Sequence, residues 1–234
     1  MRAVGTVMRE GEKAWVLDMG RMGYEEAFEL QRRCVAARGR DEIPDTFIML
    51  EHNPVFTANR DVTLQNIIAP RDVLAEKGIR VCKTDRGGDV TYHGPGQITG
   101  YSIMDLKQQG RDLHRYIRNI EQVLIDTIAD FGIASGRDSI NPGVWVGMEK
   151  VAAIGIAVKS GWITMHGFGF NIHPDMSHYQ LIIACGLRDR GVTSLQKLAG
   201  CEVDIADVKE KLSRHYGTIF NRAMQRIAPE DLPW

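Results

Sequence analysis

The spacing of apolar residues along the chain changes period several times, and each change predicts an element. Ala14–Met19 (AWVLDM) is apolar-rich and reads as a strand, whereas Tyr24–Gly39 has helical spacing that turns Phe28, Leu30, Cys34 and Val35 inward. Asp45–His52 (DTFIMLEH) reads as a buried strand stopped by Asn53-Pro54. A short helix over Arg71–Lys77 and a strand over Ile79–Lys83 follow, and Gln97–Leu106 is strand-like again. From Arg111 to Phe131 the apolar set Leu113, Tyr116, Ile117, Ile120, Val123, Leu124 and Ile128 recurs every three or four residues, the signature of an amphipathic helix. A last helix is predicted over Asp204–Asn221.

Between the last two helices the pattern is that of strands: Val144–Val146, Lys150–Lys159 and Trp162–Ile172. Ser160-Gly161 supplies a turn between the last two. A hairpin centred on Ser160 would pair Ala153 with Gly167 and Val151 with Gly169. Its Ala153, Gly155, Gly167 and Gly169 face would then lack side chains. Such a face marks either a close approach by ligand or backbone, or a bulged and bent hairpin.

The composition changes this picture little. With 234 residues, 44% hydrophobic and 25% charged, the chain can bury a full core, and no linker or repeat divides it, so one domain over 1–234 is expected. A net charge of −1 gives no reason to expect nucleic-acid binding. No apolar run has the length of a membrane span and the N-terminus has no signal-peptide core, so a cytoplasmic protein with no membrane partner is expected. Cys34, Cys82, Cys185 and Cys201 lie far apart without metal-binding spacing, which predicts free thiols in a reducing compartment and no metal. Cys34 and Cys82 read as packing residues, and Cys201 as packing or surface.

Three stretches could carry chemistry. RGGDVTYHGPGQ (Arg86–Gln97) is glycine-rich and follows a strand, yet it has neither the lysine and hydroxyl of a phosphate loop nor the helix such a loop opens. Gly87 and Gly88 would let backbone approach a ligand, and Gly94-Pro95-Gly96 would make a rigid turn. Arg86 offers a fixed charge and His93 an imidazole that either transfers protons or hydrogen-bonds its own loop. In IIACGLRD (Ile182–Asp189), Cys185 precedes a glycine and stands near Arg188. It is either a buried small side chain or a nucleophile whose thiol is acidified by a nearby cation, with Lys150, Arg188, His93 and His166 as the candidates. Lys150, opening an apolar strand, either snorkels to solvent or sits near that thiol and trades protons with a substrate amine.

Taken together, RGGDVTYHGPGQITGYSIMDL, GVWVGMEKVAAIG, MHGFGFNI and ACGLRDRGVTSL resemble, in order, the blocks of the lipoyl(octanoyl) transferases, with EHNPVFT extending the likeness upstream. The likeness runs from Glu51 to Leu195, and nothing after about Gly200 takes part. It implies an α+β fold, a central mixed β-sheet flanked by helices, shared with lipoate ligases and the catalytic domain of biotin ligases. It implies that Cys185 carries an acyl thioester and that Lys150 lowers the pKa of that thiol. It assigns substrate binding to Arg86, Gly87, Gly88, Asp89, Val90, Thr91, Tyr92 and His93, to Ala153, Ile154 and Gly155, and to Gly167, Phe168 and Gly169. Two places where many members carry proline hold Ala184 and Ser102, a change of local stiffness rather than of a functional group.

The activity so implied is transfer of an octanoyl or lipoyl group from acyl carrier protein to a lysine of a lipoyl domain, the first step of protein lipoylation. The acyl group arrives on the carrier's phosphopantetheine, and the enzyme needs no cofactor of its own. Acceptors would be the lipoyl domains of 2-oxoacid dehydrogenase complexes and the glycine cleavage H protein. The proton of the acceptor amine would pass to Lys150 or to a histidine, His93 or His166. Carrier proteins are acidic, and Lys107, Arg111, Arg115 and Arg118 offer a basic patch or an ordinary solvated helix face. An ATP-dependent lipoate ligase, an acyl-thioesterase and a non-catalytic carrier-binding module are the alternatives.

Overall fold

The computed structural model describes residues 12–59, 61–139, 141–184 and 190–234. Its strands are β1 (Glu12–Met22), β2 (Asp45–His52), β3 (Val55–Ala58), β4 (Arg80–Lys83), β5 (Thr91–His93), β6 (Gln97–Ile103), β7 (Gly136–Arg137), β8 (Gly143–Val146), β9 (Glu149–Lys159), β10 (Ile163–Asn171), β11 (Gly191–Val192) and β12 (Arg222–Arg226). The helices are α1 (Tyr24–Gly39), α2 (Arg71–Glu76), α3 (Leu113–Ala129), α4 (Leu195–Ala199) and α5 (Ile205–Phe220).

A mixed sheet in the order β12-β1-β2-β6-β10-β9-β8-β7, with β11 alongside β9, runs through the molecule, and β4-β3-β5 form a smaller sheet. Strand β2 is buried on both faces because the helices lie on both sides. Its Phe47 and Met49 join Tyr116, Ile120 and Val123 of α3 and Leu212 and Tyr216 of α5. The alternate residues Ile48 and Leu50 join Ala27 and Cys34 of α1. This is the α+β, mixed-sheet architecture that the family resemblance implied.

Helix α3 is capped by Asp112, whose carboxylate accepts from the Arg115 N–H at 2.9 Å, and α5 by Asp204, which accepts from Ala206 at 3.0 Å. Both helices match their predicted spans to within two residues. Helix α1 has the expected limits, but its buried stripe is Tyr24, Ala27, Gln31, Cys34 and Arg38, while Phe28, Leu30 and Val35 lie on its flanks. Gln31 is drawn in because its side-chain oxygen accepts from the His166 N–H, and Arg38 because it pairs with buried Asp45. Among the described residues no helix is long and apolar enough to cross a membrane.

The β9–β10 register corrects the expected one. Gly167 pairs with Gly155 and Gly169 with Ala153, two residues from the predicted partners. The connection contains Ser160, Gly161 and Trp162, the last two at φ 80° and 64°, so a three-residue loop replaces the two-residue turn. A shift of two preserves the face, so Ala153, Gly155, Gly167 and Gly169 still point the same way.

Candidate active site

The small-residue face is occupied by the protein itself. A Cβ on Gly155 would lie 2.7 Å from the Gly87 carbonyl oxygen and 3.0 Å from Arg86 Cδ. The Gly87 N–H donates to the Ile156 carbonyl at 3.0 Å, which fastens the Arg86–Gly88 segment onto β9. At Gly169 the Gln97 side chain takes the space, 2.8 Å from where a Cβ would be. Missing side chains therefore admit a loop and a glutamine, and what is left between them is a cavity of about 90 Å³.

Strand alternation into β5 decides which residues of the Arg86–His93 segment reach this cavity. Arg86, Gly88, Asp89, Thr91 and His93 line it. Val90 and Tyr92, assigned to substrate binding with the others, point the opposite way and pack with Phe56, Leu74 and Ile182. Gly87 backs onto Ile156 instead. The other wall is Lys150, Ala153, Ile154 and Gly155 of β9 with His166, Gly167, Phe168 and Gly169 of β10. Ile154 and Phe168 border the cavity, but their side chains belong to the core beneath α3. Tyr24, Thr99, Tyr101, Asn141 and Pro142 complete the lining. None of these five was singled out from sequence; Thr99 and Tyr101 carried a signal, since they alternate along β6 opposite Gly169 and Gly167.

Arg86 is buried and its guanidinium spans two elements: Nη2 donates to the Thr57 carbonyl at 2.8 Å and Nη1 to the Gly87 carbonyl at 3.0 Å. It thus shapes the loop around itself. The turn behind the loop is tight. Gly96 has φ 83°, and a Cβ there would be 2.6 Å from the His173 carbonyl oxygen.

The histidines are differentiated by their partners. His93 Nδ1 lies 2.7 Å from Gln97 Oε1, and the Gln97 amide nitrogen donates to the Tyr92 carbonyl and Asn171 Oδ1. The amide orientation is set by those acceptors, so Nδ1 carries the proton. His93 Nε2 is left unprotonated, without a hydrogen-bond partner among the described residues, on the cavity wall. Burial, helped by His52 and Arg86 nearby, pushes the His93 pKa well below its ordinary value. His166 differs, because its Nε2 is engaged with Asp85 Oδ1 at 2.7 Å and Asp85 also pairs with Lys159. Burial outweighs that carboxylate and lowers the His166 pKa.

Lys150 is buried, does not snorkel, and lies at the cavity wall. Its Nζ donates to the Pro142 carbonyl at 3.4 Å and sits 4.8 Å from the centre of the Trp145 ring. The Arg190 guanidinium is also 4.8 Å from the Trp145 ring centre.

Cys185, Gly186 and Arg188 lie outside the described residues. Their neighbours are placed. Before them, the Ile183 N–H donates to the Asn66 carbonyl at 2.7 Å, and Asn66 Nδ2 donates to Asp89 of the cavity wall at 2.7 Å. After them, Val192 pairs with Lys150 itself. Of the expected basic patch, Lys107 faces Asp105 at 3.4 Å and Arg118 faces Glu121 at 2.9 Å, so two of its four cations are already compensated. Ser102 hydrogen-bonds Tyr216 at 2.6 Å and joins β6 to α5.

Comparison with known proteins gives a consistent result. Residues 23–217 match the model of the lipoyl protein ligase A/B catalytic domain. An octanoyltransferase of Caldicellulosiruptor saccharolyticus is 47% identical over 211 residues, covering 89% of each chain. One of Solibacter usitatus is 44% identical, covering 88% of this chain and 92% of its own. Among solved structures, lipoate-protein ligase A bound with ATP superposes with a TM-score of 0.70 at 12% identity, covering 93% of this chain and 89% of that one. The biotin protein ligase of Aquifex aeolicus does so with a TM-score of 0.50 at 12% identity, covering 89% and 69%. At such identities the structural likeness speaks to the fold alone.

Proposed function

This chain belongs to the lipoyl protein ligase A/B catalytic-domain family and, within it, to the octanoyltransferases, and from that premise we propose that it moves an octanoyl or lipoyl group from acyl carrier protein to a lysine of a lipoyl domain through a thioester on Cys185. The observation that carries this reading is the meeting of the Arg86–His93 segment, the glycine face of the hairpin and Lys150 around one cavity.

The Cys185 thiolate attacks the carbonyl carbon of the donor thioester. A new C–S bond forms, the old one breaks, and the phosphopantetheine thiolate leaves and takes a proton. Both species are thioesters, so the step needs no ATP. The acceptor lysine then attacks the acyl-enzyme as a free amine, forms the amide and releases the Cys185 thiolate. Lys150, buried beside the strand that follows Cys185, supplies the positive charge that favours the thiolate at both ends of the cycle. The proton of the attacking amine must go to a base, and His93 Nε2 offers an unprotonated nitrogen on the cavity wall. His166 offers less, because its Nε2 is committed to Asp85. Arg86, Gly88, Asp89 and Thr91 on one wall and Ala153 to Gly155 and Gly167 to Gly169 on the other would enclose the acyl group. Burying its methylenes contributes about 0.8 kcal/mol each. Acceptors of this chemistry include lipoyl domains of 2-oxoacid dehydrogenase complexes and the glycine cleavage H protein.

Incubation with octanoyl-acyl carrier protein in the absence of ATP, followed by mass spectrometry, tests the reading. Octanoyl is expected on the peptide containing Cys185, and is expected to pass to a lipoyl-domain lysine on addition of that domain. A strict requirement for ATP would instead place the chain with the adenylating ligases. Release of free octanoate without amide would make it a thioesterase.

A further inference from the structure

Helix α3 presents one residue out of keeping with its apolar face. Glu121 is almost wholly buried, among residues that otherwise form the core. Its Oε2 takes Arg118 Nη1 at 2.9 Å and Arg137 Nε at 3.1 Å, which balances the charge. Its Oε1 accepts from the Gly143 N–H at 3.2 Å. That N–H belongs to the peptide joining Pro142 to Gly143. The carbonyl of the same peptide accepts from Lys150 Nζ at 3.4 Å. A carboxylate on one side of a peptide polarises it and makes the carbonyl on the other side a better acceptor for an ammonium. Gly143 is needed for this approach: it has φ 142°, and a Cβ there would be 2.5 Å from the Ala152 carbonyl and 3.4 Å from Lys150 Cε. The ammonium also meets the Trp145 ring, whose Nε1 donates to the Asn141 carbonyl at 3.4 Å.

We infer that Glu121 is a positioning residue for Lys150, acting through the Pro142–Gly143 peptide to hold the ammonium where it faces the cavity. The inference rests on the role proposed above for Lys150 and names a residue that does not itself line the cavity, about 30 positions before the lysine in the chain. Arg118 and Arg137 pair with the carboxylate, so the assembly runs from two arginines through a glutamate and a peptide to a lysine.

The sign of the effect separates this inference from simple electrostatics. Removing a negative charge would by itself favour a nearby thiolate and move its titration to lower pH. Losing the hold on Lys150 withdraws a positive charge from the thiol and moves the titration to higher pH. The experiment is the alkylation rate of the Cys185 peptide with iodoacetamide against pH, read by mass spectrometry, for wild type, Glu121→Gln, Lys150→Ala and the double variant. Glu121→Gln is expected to shift the profile upward by about half a pH unit or more, and Lys150→Ala by more. The double variant is expected to show no upward shift beyond that of Lys150→Ala, because without the lysine Glu121 has nothing to position. A downward or absent shift in Glu121→Gln, with Lys150→Ala still shifted, overturns the inference and leaves the role of Lys150 standing. No shift in Lys150→Ala overturns both. Buried Cys34 reports on folding in the same samples. If Glu121→Gln makes it reactive, Glu121→Asp, which keeps the charge for the arginines but shortens the reach to Gly143, carries the same expectation and the same refutation.

Discussion

His93 and Gln97 are joined at 2.7 Å between Nδ1 and Oε1, and this single contact decides which nitrogen of the imidazole carries the proton. Gln97→Glu puts a carboxylate against the ring and replaces the amide donor to Tyr92 and Asn171 with an acceptor. The carboxylate raises the His93 pKa from its depressed position toward neutrality. In histidine NMR titrations, His93 is expected to remain neutral through the mildly acidic range in wild type and to protonate at distinctly higher pH in the variant. Amide formation near neutrality is expected to fall by about 100-fold. A wild-type His93 that titrates like a free imidazole would refute the assignment.

Two glycines on the same face should fail differently. An added Cβ at Gly167 would be 2.0 Å from the Gly100 carbonyl, inside the sheet, where nothing can yield. Gly167→Ala is expected to cost about 2 kcal/mol or more in denaturant unfolding. At Gly155 the obstacle is the Gly87 carbonyl of the Arg86–Gly88 loop, which can lift. Gly155→Ala is expected to keep most of its stability while octanoyl transfer falls by at least about 10-fold, measured as initial rate. Equal losses of stability in both would contradict this division.

Acid should destabilise the fold through its buried histidines. His52 is enclosed by Met22 and Tyr101, accepting from the Tyr101 hydroxyl at 2.6 Å while its Nδ1 donates to the Met22 carbonyl. Burial lowers its pKa from 6.5 to about 4. The unfolded chain therefore binds a proton at a pH where the folded one does not, and stability falls as pH drops from about 6.5 to about 4. His52 alone accounts for about 3 kcal/mol over that window. Thermal unfolding from pH 7.5 to 4.5 should show the decline, and His52→Gln should flatten it. An unchanged slope would show that other groups govern acid unfolding.

Asp45 ties three elements at the end of β2. It receives Arg38 of α1 at 2.9 Å, Arg222 of β12 at 2.8 Å and the Asp105 N–H at 3.0 Å. Asp45→Ala removes the buried carboxylate shared by two guanidiniums, leaving them Asp41 and Glu12 as partners, and is expected to cost about 3 kcal/mol in chemical denaturation. A loss below about 1 kcal/mol would mean that water replaces the carboxylate freely.

The limits of α1, α3 and α5, the buried nature of β2 and the small-residue face of the hairpin were all legible in the chain. Each depends on the apolar pattern within one segment. The ordered motifs likewise identified the family before any fold was seen. The tertiary structure alone decided the pairing of β12 with β1, the small sheet of β3, β4 and β5, and the β9–β10 register. Those contacts join segments far apart in the chain or turn on the conformation of a three-residue loop, to which a local period is blind. The same holds for the site. Tyr24, Asn141 and Pro142 carry no pattern of their own, and Val90 and Tyr92 belong to a motif yet face away because β5 alternates. Glu121 sits on a helix whose spacing says nothing of a carboxylate going inward. Its burial is decided by Arg118, Arg137 and the Gly143 N–H, two of which reach it only once the chain has folded back upon α3.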